Sequence, residues 1–417
     1  MSCALLLALV SHPSFTVAQN QRAIHAARML DVQSGRVLED ALVLIEGERI
    51  EAVNPAELPA GVEVLDLGDR CLLPGLIDCH THLTGDLEGE WVRREVLETA
   101  ADAALRGAKN ARLTLLAGFT TVRDVGAGGF ADIALMKAID QGWVPGPRMF
   151  PAGHAIGITG GHADTTGYAP GILQRGPESG IADGADQVVA AVRAQIKYGA
   201  KLIKVCATAG VLSFEGPVGA QQYSEQELRA LVEEAHRHGL KVAAHAHGGA
   251  GIKAAVRAGV DSIEHGSELD DEALALMKER GTFLVPTTYL ADALDLERLP
   301  PPIRAKAEVI LPRAKESLRR AIAAGVQIAY GTDASVYPHG LNARELETLV
   351  QRGMLPIDAL RAATIHACEL IGVGDRGVIA AGKLADLIAV PGNPLEDVRL
   401  LQRVEFVMKG GAIVKGP

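Results

Sequence analysis

The 417-residue sequence is poor in aromatic side chains and has no long run of lysine or arginine. Only 4% of its residues are Phe, Trp or Tyr, which does not suit an aromatic-rich binding surface. The formal net charge of -10 argues against nucleic acid as a partner, because phosphate binding needs a basic face. The chain is rich in glycine, with 46 residues, and 48% hydrophobic, as expected for a globular protein of small, tightly packed units.

Cysteine is also scarce, and no two cysteines form a Cys-x-x-Cys pair. The five residues are Cys3, Cys71, Cys79, Cys206 and Cys368. An odd number at such wide spacing is not typical of a disulfide framework. We therefore predict that all five cysteines are structural.

The N-terminus contains the only stretch that resembles a targeting segment. Residues 3–10 are apolar and precede Thr16-Val17-Ala18-Gln19, which is similar to a small-residue cleavage site. The positive charge that usually precedes such a run is missing, and the run is too short to span a membrane. Residues 1–19 are a candidate signal peptide, which favours a periplasmic or secreted protein over a cytoplasmic one. No other stretch is long and apolar enough to suggest a membrane partner.

The remaining chain divides into two strand-rich ends and an alternating middle. Residues 20–71 and 373–417 hold short apolar runs broken by Gly, Asn and Asp, which predict one small β-sandwich-like domain built from both termini. Residues 72–372 alternate apolar strands with amphipathic helices, as in an α/β (β/α)8 TIM barrel. A doubly wound open sheet has the same rhythm, but eight similar units favour a closed barrel. The predicted strands are 75–80, 119–125, 148–152, 202–207, 241–246, 262–265, 282–286 and 327–332.

Polar residues at the ends of these strands are candidate site residues, because chemistry in such barrels gathers at the C-terminal strand ends. The first strand ends in His80 and His82, which alternation sends to one face. A single His-x-His pair is weak evidence of a metal site. His245, His265 and Asp333 end three further strands, and together the five side chains indicate one metal site.

Other histidine pairs need separate treatment. His236 and His238 stand at the end of a helix that Ser224 caps together with Glu227, and residues two apart on a helix cannot share an ion. His247 shares a face with His245 if that strand continues. A role for His247 as a ligand, a supporting group or a substrate contact stays open.

Lys204 lies in the middle of the apolar fourth strand. A buried ammonium is costly and cannot bind a cation. The side chain could reach solvent or pair with a carboxylate. Alternatively, it could be carbamylated and bridge two metal ions.

These features resemble the binuclear metal-dependent branch of the amidohydrolase superfamily. The resemblance covers nearly the whole chain and rests on Leu73-Pro74-Gly75-Leu76-Ile77-Asp78-Cys79-His80-Thr81-His82, the strand-four lysine, the two single histidines and the strand-eight aspartate. Residues 157–164 and 201–205 are more closely similar to prolidase-like or Xaa-Arg dipeptidases. Imidazolonepropionase-like proteins and ochratoxin-hydrolysing amidases are near neighbours.

The resemblance implies two divalent metal ions, with zinc expected because the ligands are histidine nitrogens and carboxylate oxygens. The implied ligands are His80, His82 and Asp333 for the more buried ion and His245 and His265 for the second. An N6-carboxylated Lys204 would bridge the two ions. Asp333 would also take the proton of a metal-activated water and pass it to the leaving amine.

Three further residues are candidate substrate contacts. His162 lies in the long glycine-rich loop 153–180, where we expect it to act on the substrate carbonyl or a carboxylate, although it could simply bond to backbone. Tyr223 and Arg123 are weaker candidates for contact with a substrate carboxylate. Arg123 could instead pair only with the neighbouring Asp124.

The predicted activity is amide hydrolysis of dipeptides or N-acyl amino acids with a free C-terminal carboxylate, of the Xaa-Pro or Xaa-Arg type. Hydrolysis of a cyclic amide, a lactone or a mycotoxin amide uses the same metal cradle and stays open. A non-catalytic scaffold would leave the complete ligand set unexplained. We therefore expect an enzyme with a small-molecule substrate, and we also expect a homo-oligomer.

Overall fold

The computed structural model describes residues 21–87 and 93–416. The candidate signal peptide and Cys3 lie outside these residues. The other four cysteines are buried free thiols, as predicted. Among the described residues, no helix combines the length and the apolar character needed to cross a membrane.

The described chain begins with five strands. They are β1 (Gln21–Asp31), β2 (Arg36–Glu46), β3 (Arg49–Val53), β4 (Glu63–Asp66) and β5 (Arg70–Pro74). β1 pairs antiparallel with β2 along its whole length, while β4 and β5 run parallel to its first and second halves. The sheet therefore branches at β1.

Seven short parallel strands follow and correspond to the first seven strands predicted for the middle of the chain. They are β6 (Leu76–Thr81), β7 (Phe119–Asp124), β8 (Arg148–Pro151), β9 (Ile203–Cys206), β10 (Val242–Ala246), β11 (Ser262–His265) and β12 (Phe283–Val285). β6, β7 and β8 form one sheet, and β9 to β12 form another. Nearly all of their residues are buried, so both faces of each sheet are covered.

Helices lie between and after these strands. They are α1 (Arg94–Leu97), α2 (Ala100–Leu116), α3 (Ala131–Asp140), α4 (Ala185–Tyr198), α5 (Glu225–Arg237), α6 (Gly249–Ala258), α7 (Asp271–Arg280), α8 (Leu290–Ala293), α9 (Pro301–Ala324), α10 (Arg344–Gln351), α11 (Pro356–Ala362) and α12 (Ile365–Ile371). The capping box of Ser224 and Glu227 is present at the start of α5. The side chain of each residue accepts a hydrogen bond from the backbone N–H of the other, which fixes where the helix begins.

The two parallel sheets meet through isolated bridges. Ile156 bridges to Val205 between β8 and β9, and Ile328 bridges to Leu284 of β12. Ala334 bridges to Thr81 of β6. The result is a TIM-barrel-like α/β arrangement, in which the ladder of hydrogen bonds between strands is continuous only within each sheet.

The eighth predicted strand, residues 327–332, forms bridges instead of a strand. The Tyr330 N–H donates to the carbonyl of Ala362, and the Thr332 N–H donates to the side chain of Asp78. Neither bond belongs to a strand ladder, although the Ala329 N–H donates to the carbonyl of Leu284 in β12. The prediction was right about the position of the segment between β6 and β12 and wrong about its regularity, because two of its backbone donors bond outside a ladder.

The chain ends with β13 (Leu387–Pro391), β14 (Phe406–Lys409) and β15 (Ala412–Lys415). They extend the N-terminal strands into one eight-stranded sheet in the order β15-β14-β13-β5-β1-β2-β3, with β4 paired to β1. The extra domain uses both ends of the chain, and its strands are hydrogen-bonded into one branched sheet. Both faces of this sheet carry buried apolar side chains, one in the main cluster and the other in a cluster of its own.

The side chains of β13 alternate between two apolar cores, one on each face of the sheet. Leu387 and Ala389 belong to the apolar cluster inside the small sheet. Ile388 and Val390 point the other way and belong to the main cluster, which also contains Phe119 of β7. Successive side chains of a strand face opposite sides. The sheet and the barrel are therefore packed together.

Candidate metal centre and active site

Five histidine rings converge at the C-terminal ends of β6, β10 and β11. The ring centroids of His80 and His82 lie 5.5 Å apart, and those of His80 and His265 lie 5.1 Å apart. The His245 ring is 4.8 Å from that of His265 and 4.7 Å from that of His247. The structure thus brings the predicted strand-end histidines into one cluster.

Asp333 reaches the same cluster from the irregular eighth segment. Its Oδ1 lies 3.5 Å from Nε2 of His80 and 3.5 Å from Nε2 of His82. Asp333 and His265 have φ values of 58° and 70°, which are uncommon for residues other than glycine. Such conformations cluster at functional sites, where the surrounding structure holds them in place.

Two overlapping groups of side chains have the spacing needed to hold an ion. Each group offers ligand atoms within 4.8 Å of one another: His80, His265 and Asp333 in one, and His245, His247 and His265 in the other. His82 joins the first group through its approach to Asp333. His247, whose role was open, lies with the second group.

The hydrogen bonds that support His80 and His82 use Nδ1 and leave Nε2 of each ring free to bind a metal. His80 Nδ1 lies 2.7 Å from Oε2 of Glu264, and His82 Nδ1 lies 2.9 Å from the carbonyl oxygen of Gly126. A carboxylate or a carbonyl can only accept, so each Nδ1 carries the proton and each Nε2 presents a lone pair. Second partners of this kind orient metal-binding histidines and fix their tautomer.

Arg123 lies beneath the site and supports Glu264. Its Nη2 donates to Oε1 of Glu264 over 2.8 Å, its Nη1 to the Ser262 hydroxyl over 3.0 Å, and its Nε to the carbonyl of Cys79. Arg123 is 2% exposed and Glu264 is 0% exposed. This placement does not support the predicted contact of Arg123 with a substrate carboxylate, because all of these donors face buried protein groups.

Asp78 ties β6 to the eighth segment. Its Oδ2 accepts hydrogen bonds from the Thr332 hydroxyl over 2.6 Å and from the Asn342 amide over 2.8 Å, and its Oδ1 accepts the Thr332 N–H. Burial raises the pKa of Asp78 to about 6, and these hydrogen bonds oppose the shift. The bonds hold the segment that carries Asp333 against the strand that carries His80.

Burial keeps the clustered histidines neutral. It lowers the pKa of His82 to about 4 and that of His247 to about 3, with Lys204 and neighbouring histidines adding to the shift. The pKa values of His80, His245 and His265 fall well below the usual value for the same reason. Neutral imidazole is the form that binds a metal ion.

Lys204 stands in β9 beside these histidines. The residue is 4% exposed, and burial lowers the pKa of its ammonium, while Glu264 and Asp333 oppose that shift. Burial also raises the pKa of Asp333 to about 7, against the pull of Lys204. The structure therefore places a lysine and a carboxylate of shifted pKa together inside the cluster.

His162 covers the second group from the loop after β8. Its ring centroid is 4.2 Å from that of His245, and its Nδ1 lies 2.6 Å from the Ser213 hydroxyl and 3.4 Å from Oε1 of Glu215. The ring lies so close to Gly210 that a Cβ there would be 2.1 Å from His162 Cε1. Glycine is needed at this position because a Cβ would overlap the His162 ring.

Glu215 fixes the loop beneath His162. Its Oε1 accepts the Gly210 N–H over 2.9 Å. Burial alone would raise the pKa of Glu215, but hydrogen bonds from His162, Ser213 and Gly210 lower it to about 2. Glu215 is therefore ionised at neutral pH. Lys306 of α9 donates to the carbonyls of Gly210 and Ser213 and holds the same loop from the other side.

Tyr223, a predicted substrate contact, and the helix-end pair His236 and His238 lie away from the cluster. Tyr223 is 1% exposed and donates to the carbonyl of Ala182 over 2.8 Å, so its hydroxyl is engaged in the protein interior. This burial does not support a contact between Tyr223 and the substrate. His236 and His238 have half-exposed side chains near Asp261 and Glu234, as expected for the end of a helix.

A cavity of about 90 Å³ opens onto the cluster. Its polar end is formed by His162, His245, His247, His265 and Asp333. The remaining walls are mainly apolar. A reacting group in this cavity would touch both metal-capable groups of side chains.

Sequence reasoning missed Glu264, Glu215 and Asp78 as supporting residues. The signal for Glu264 was available, since Ser262 and Glu264 are polar positions two apart in the predicted strand 262–265. That spacing places both on one face. Glu215 gave no comparable signal, because it lies in an irregular loop whose contacts depend on the fold.

The cluster fits the two divalent ions expected from the sequence. His245 Nε2 is buried without a hydrogen-bond partner among the described residues, which is costly unless another group completes the site. The donors around it are imidazole nitrogens and a carboxylate, the ligand types preferred by zinc.

Comparison with known proteins agrees with this geometry. The model of the Amidohydrolase family matches residues 71–414. Ochratoxinase from Aspergillus niger is 39% identical over 372 residues, covering 83% of this chain and 76% of that protein.

Two solved structures extend the similarity to the whole fold. A Xaa-Pro dipeptidase with bound methionine in the active site superposes with a TM-score of 0.91 at 39% identity, covering 95% of this chain and 100% of that one. A prolidase complexed with N-methylphosphonate-L-proline gives a TM-score of 0.87 at 36% identity, with coverage of 95% and 100%. The chain therefore belongs to the amidohydrolase family, whose members are metal-dependent hydrolases.

Proposed function

We propose that the protein is a binuclear metal-dependent dipeptidase or N-acyl amino acid hydrolase that acts on substrates with a free C-terminal carboxylate. The observation that carries the proposal is the cluster of five strand-end histidines and Asp333 beside Lys204, of which His245, His247, His265 and Asp333 line one cavity. The similar structures support the substrate class, because one is a Xaa-Pro dipeptidase holding methionine and another is a prolidase holding a phosphonate of proline. Both bound molecules are built on an amino acid.

The proposed ligands are those implied by the family resemblance, and they come from the two groups of side chains and His82. His80, His82 and Asp333 would hold one ion, and His245 and His265 would hold the second. The ions would lower the pKa of water and polarise the scissile carbonyl. Asp333 would accept a proton from the attacking water through its carboxylate and deliver it to the leaving nitrogen. His162 would contact the substrate carbonyl group, with its ring held at Nδ1 by Ser213 and Glu215.

Lys204 is the proposed bridge. Burial favours its uncharged amine, the form that can react with carbon dioxide to give a carbamate. A carbamate would turn a buried cation into an anion among neutral histidines. Its formation would release one proton, and its carboxylate would be an oxygen ligand for the metal ions at the centre of the cluster.

The wider assignments of fold and assembly are part of the same proposal. We infer that the parallel strands close into a (β/α)8 barrel, supported by the bridges from Ile156, Ile328 and Ala334. We also propose that residues 72–372 form this unit, with the small sheet built from residues 20–71 and 373–417. A homo-oligomer remains a proposal, to be checked by light scattering on the purified protein.

Metal content and Lys204 replacement test the proposal directly. We expect about two equivalents of divalent metal per chain, measured by elemental analysis after dialysis. Lys204→Ala should lose most bound metal and activity, and short carboxylic acids should partly restore both. Active protein with less than one equivalent of metal would rule out a binuclear site, and full activity of Lys204→Ala would rule out the bridge.

A substrate panel tests the reaction class. We expect hydrolysis of Xaa-Pro, Xaa-Arg or N-acyl amino acids, followed by the release of the free amine. The matching amides without a free carboxylate serve as controls and should react poorly. Turnover confined to cyclic amides or lactones would replace the dipeptidase assignment with one of those activities.

A further inference from the structure

The cavity beside the metal cluster is strongly asymmetric in chemical character. The histidines and Asp333 form one part of its lining, and aliphatic side chains from three segments form another. Val211 and Leu212 come from the loop after β9, Leu290 and Leu294 from α8 and the residue after it, and Ile310 and Leu311 from α9. An extended apolar wall thus faces the reacting position.

The wall is backed by its own apolar core. Val211, Ile303, Ala307 and Ile310 form a separate buried cluster, against which Leu212 and Leu311 pack. Lys306, on the same helix, is turned towards the carbonyls of Gly210 and Ser213. The wall is therefore a packed surface, and the nearby lysine is engaged in holding it.

The charge of the lining restricts what can enter. Among the described residues, Asp333 is the only aspartate or glutamate that lines this cavity, and no lysine or arginine does so. An ionised side chain placed against the aliphatic wall would lose its water without gaining a partner, which is unfavourable. An apolar group would instead gain free energy by leaving water.

We propose that this cavity is the specificity pocket for an apolar side chain of the amide substrate. The inference rests on the proposed function and adds the chemistry of the substrate group next to the scissile bond. The volume of about 90 Å³ equals that of about three molecules of liquid water, at about 30 Å³ each. A small aliphatic side chain, of about the size of valine or leucine, fits that space.

Two substrate series test the inference. In one series the acyl residue changes from glycine through alanine, leucine and phenylalanine to lysine and aspartate, while the amine residue is constant. In the other series the amine residue changes in the same way. We expect kcat/KM in one series to rise at least about tenfold from alanine to leucine, and to fall for lysine and aspartate. Equal rates for leucine and lysine in both series would overturn the inference.

Ala291→Phe tests the location of the pocket. Ala291 lies on α8 and lines this cavity, so the added ring should fill it. We expect kcat/KM for the leucine substrate to fall at least about tenfold more than kcat/KM for the glycine substrate. Measurable cleavage of the glycine substrate also shows that the variant is folded.

Ala293→Phe is the matched control. Ala293 is on the same helix but lines a different cavity, together with Lys109 and His339. We expect its preference for leucine over glycine to match the wild-type protein. If both variants lose the preference for leucine over glycine equally, the cavity lined by Ala291 is not the specificity pocket. Should Ala291→Phe fail to fold, Leu290→Ala gives a second test, because loss of apolar surface should reduce the preference for leucine over alanine.

The outcomes separate this inference from the proposed function. If no dipeptide or N-acyl amino acid in either series is hydrolysed by metal-loaded protein, the proposed function fails. If several are hydrolysed without an apolar preference, the function stands and the pocket inference fails.

Discussion

At the scale of single residues, the site depends on side chains that aim the metal-capable groups. His80 and His82 each use Nδ1 for a hydrogen bond and present Nε2 to Asp333. The strand-end rule identified these three residues from the sequence. It could not identify Gly126, whose carbonyl is a backbone group, because any residue supplies a carbonyl and only the fold places this one.

Replacing Glu264 tests how strongly the buried network supports the metal site. In Glu264→Gln the charged acceptor for His80 Nδ1 is lost, and Arg123 loses its buried carboxylate partner. We expect metal affinity to fall about 10- to 100-fold, as for other partners of metal-binding histidines. Competition with a metal-binding dye at graded free zinc measures the change.

Glu268→Gln is the control for Glu264→Gln. Glu268 lies in the loop after β11 and pairs with Arg313 at the surface. Exposed pairs contribute little, so zinc affinity should remain close to the wild-type value. Unchanged affinity in Glu264→Gln would show that the carboxylate is not needed to orient His80.

Gly210 offers a test of the position of His162. In Gly210→Ala the new Cβ would overlap the His162 ring, so the ring must move. A displacement of about 1 Å at an active site can cost about 100-fold in rate, and we expect a loss of kcat/KM of that order. In a His162→Ala background the overlap is gone, so Gly210→Ala should add almost no further loss. Additive losses in the double mutant would contradict the proposed link.

At the scale of elements, strand positions were predictable and strand regularity was not. The apolar runs that became β6 to β12 are buried on both faces, so hydrophobicity alone marks them. Residues 327–332 were predicted as a strand as well, yet the N–H groups of Thr332 and Tyr330 donate to the side chain of Asp78 and the carbonyl of Ala362. Those contacts are formed across the fold, and a local pattern carries no information about them.

The helix α10 fixes the loop that follows β12 through a buried carboxylate. Glu345 accepts the N–H groups of Thr288 and Tyr289 over 2.8 and 2.6 Å, and Thr288 lines the active-site cavity. Burial raises the pKa of Glu345 to about 8, although these two hydrogen bonds oppose the shift. The contribution of this contact between α10 and the loop after β12 to stability therefore depends on whether Glu345 is protonated.

A pH series on Glu345→Gln tests this coupling. The folded-state pKa is above the unfolded value, so the folded state binds the extra proton and the contribution of Glu345 to stability is complete at low pH. That contribution is lost as pH rises from about 4.5 to 8, by at most about 1.4 kcal/mol per pH unit. We expect the free energy of unfolding of the wild-type protein to fall relative to Glu345→Gln between pH 5.5 and 7.5.

Urea unfolding at four pH values measures the difference. Glu347→Gln removes a partly exposed carboxylate from the same helix and is the matched control. A constant difference between wild-type protein and Glu345→Gln across this range would show that Glu345 is ionised throughout.

At the scale of the whole molecule, both ends of the chain are needed to complete one structure. β5 pairs with β13 across more than 300 residues of sequence, and β5 leads directly into the strand that carries His80. The strand-rich ends predicted this partnership. The sequence could not show that β13 also divides its side chains between two cores, because that depends on what lies on each face of the sheet.

Truncation at the C-terminus tests whether the small sheet is essential to the barrel. Removing residues 387–417 exposes apolar surface in both cores, since Leu387 and Phe406 fill one and Ile388 and Val390 fill the other. Four such side chains contribute roughly 6–12 kcal/mol, which is comparable with the whole stability of a typical domain. We expect this variant to be insoluble or to show no cooperative unfolding transition.

Removing only residues 412–417 is the matched truncation. β15 is an edge strand, and its side chains are exposed or half-buried. We therefore expect a soluble protein that binds metal and unfolds cooperatively, at a slightly lower temperature. A folded, metal-binding product from the longer truncation would show that the barrel is independent of the sheet, and the link from β13 through β5 to His80 would then have no role in forming the site.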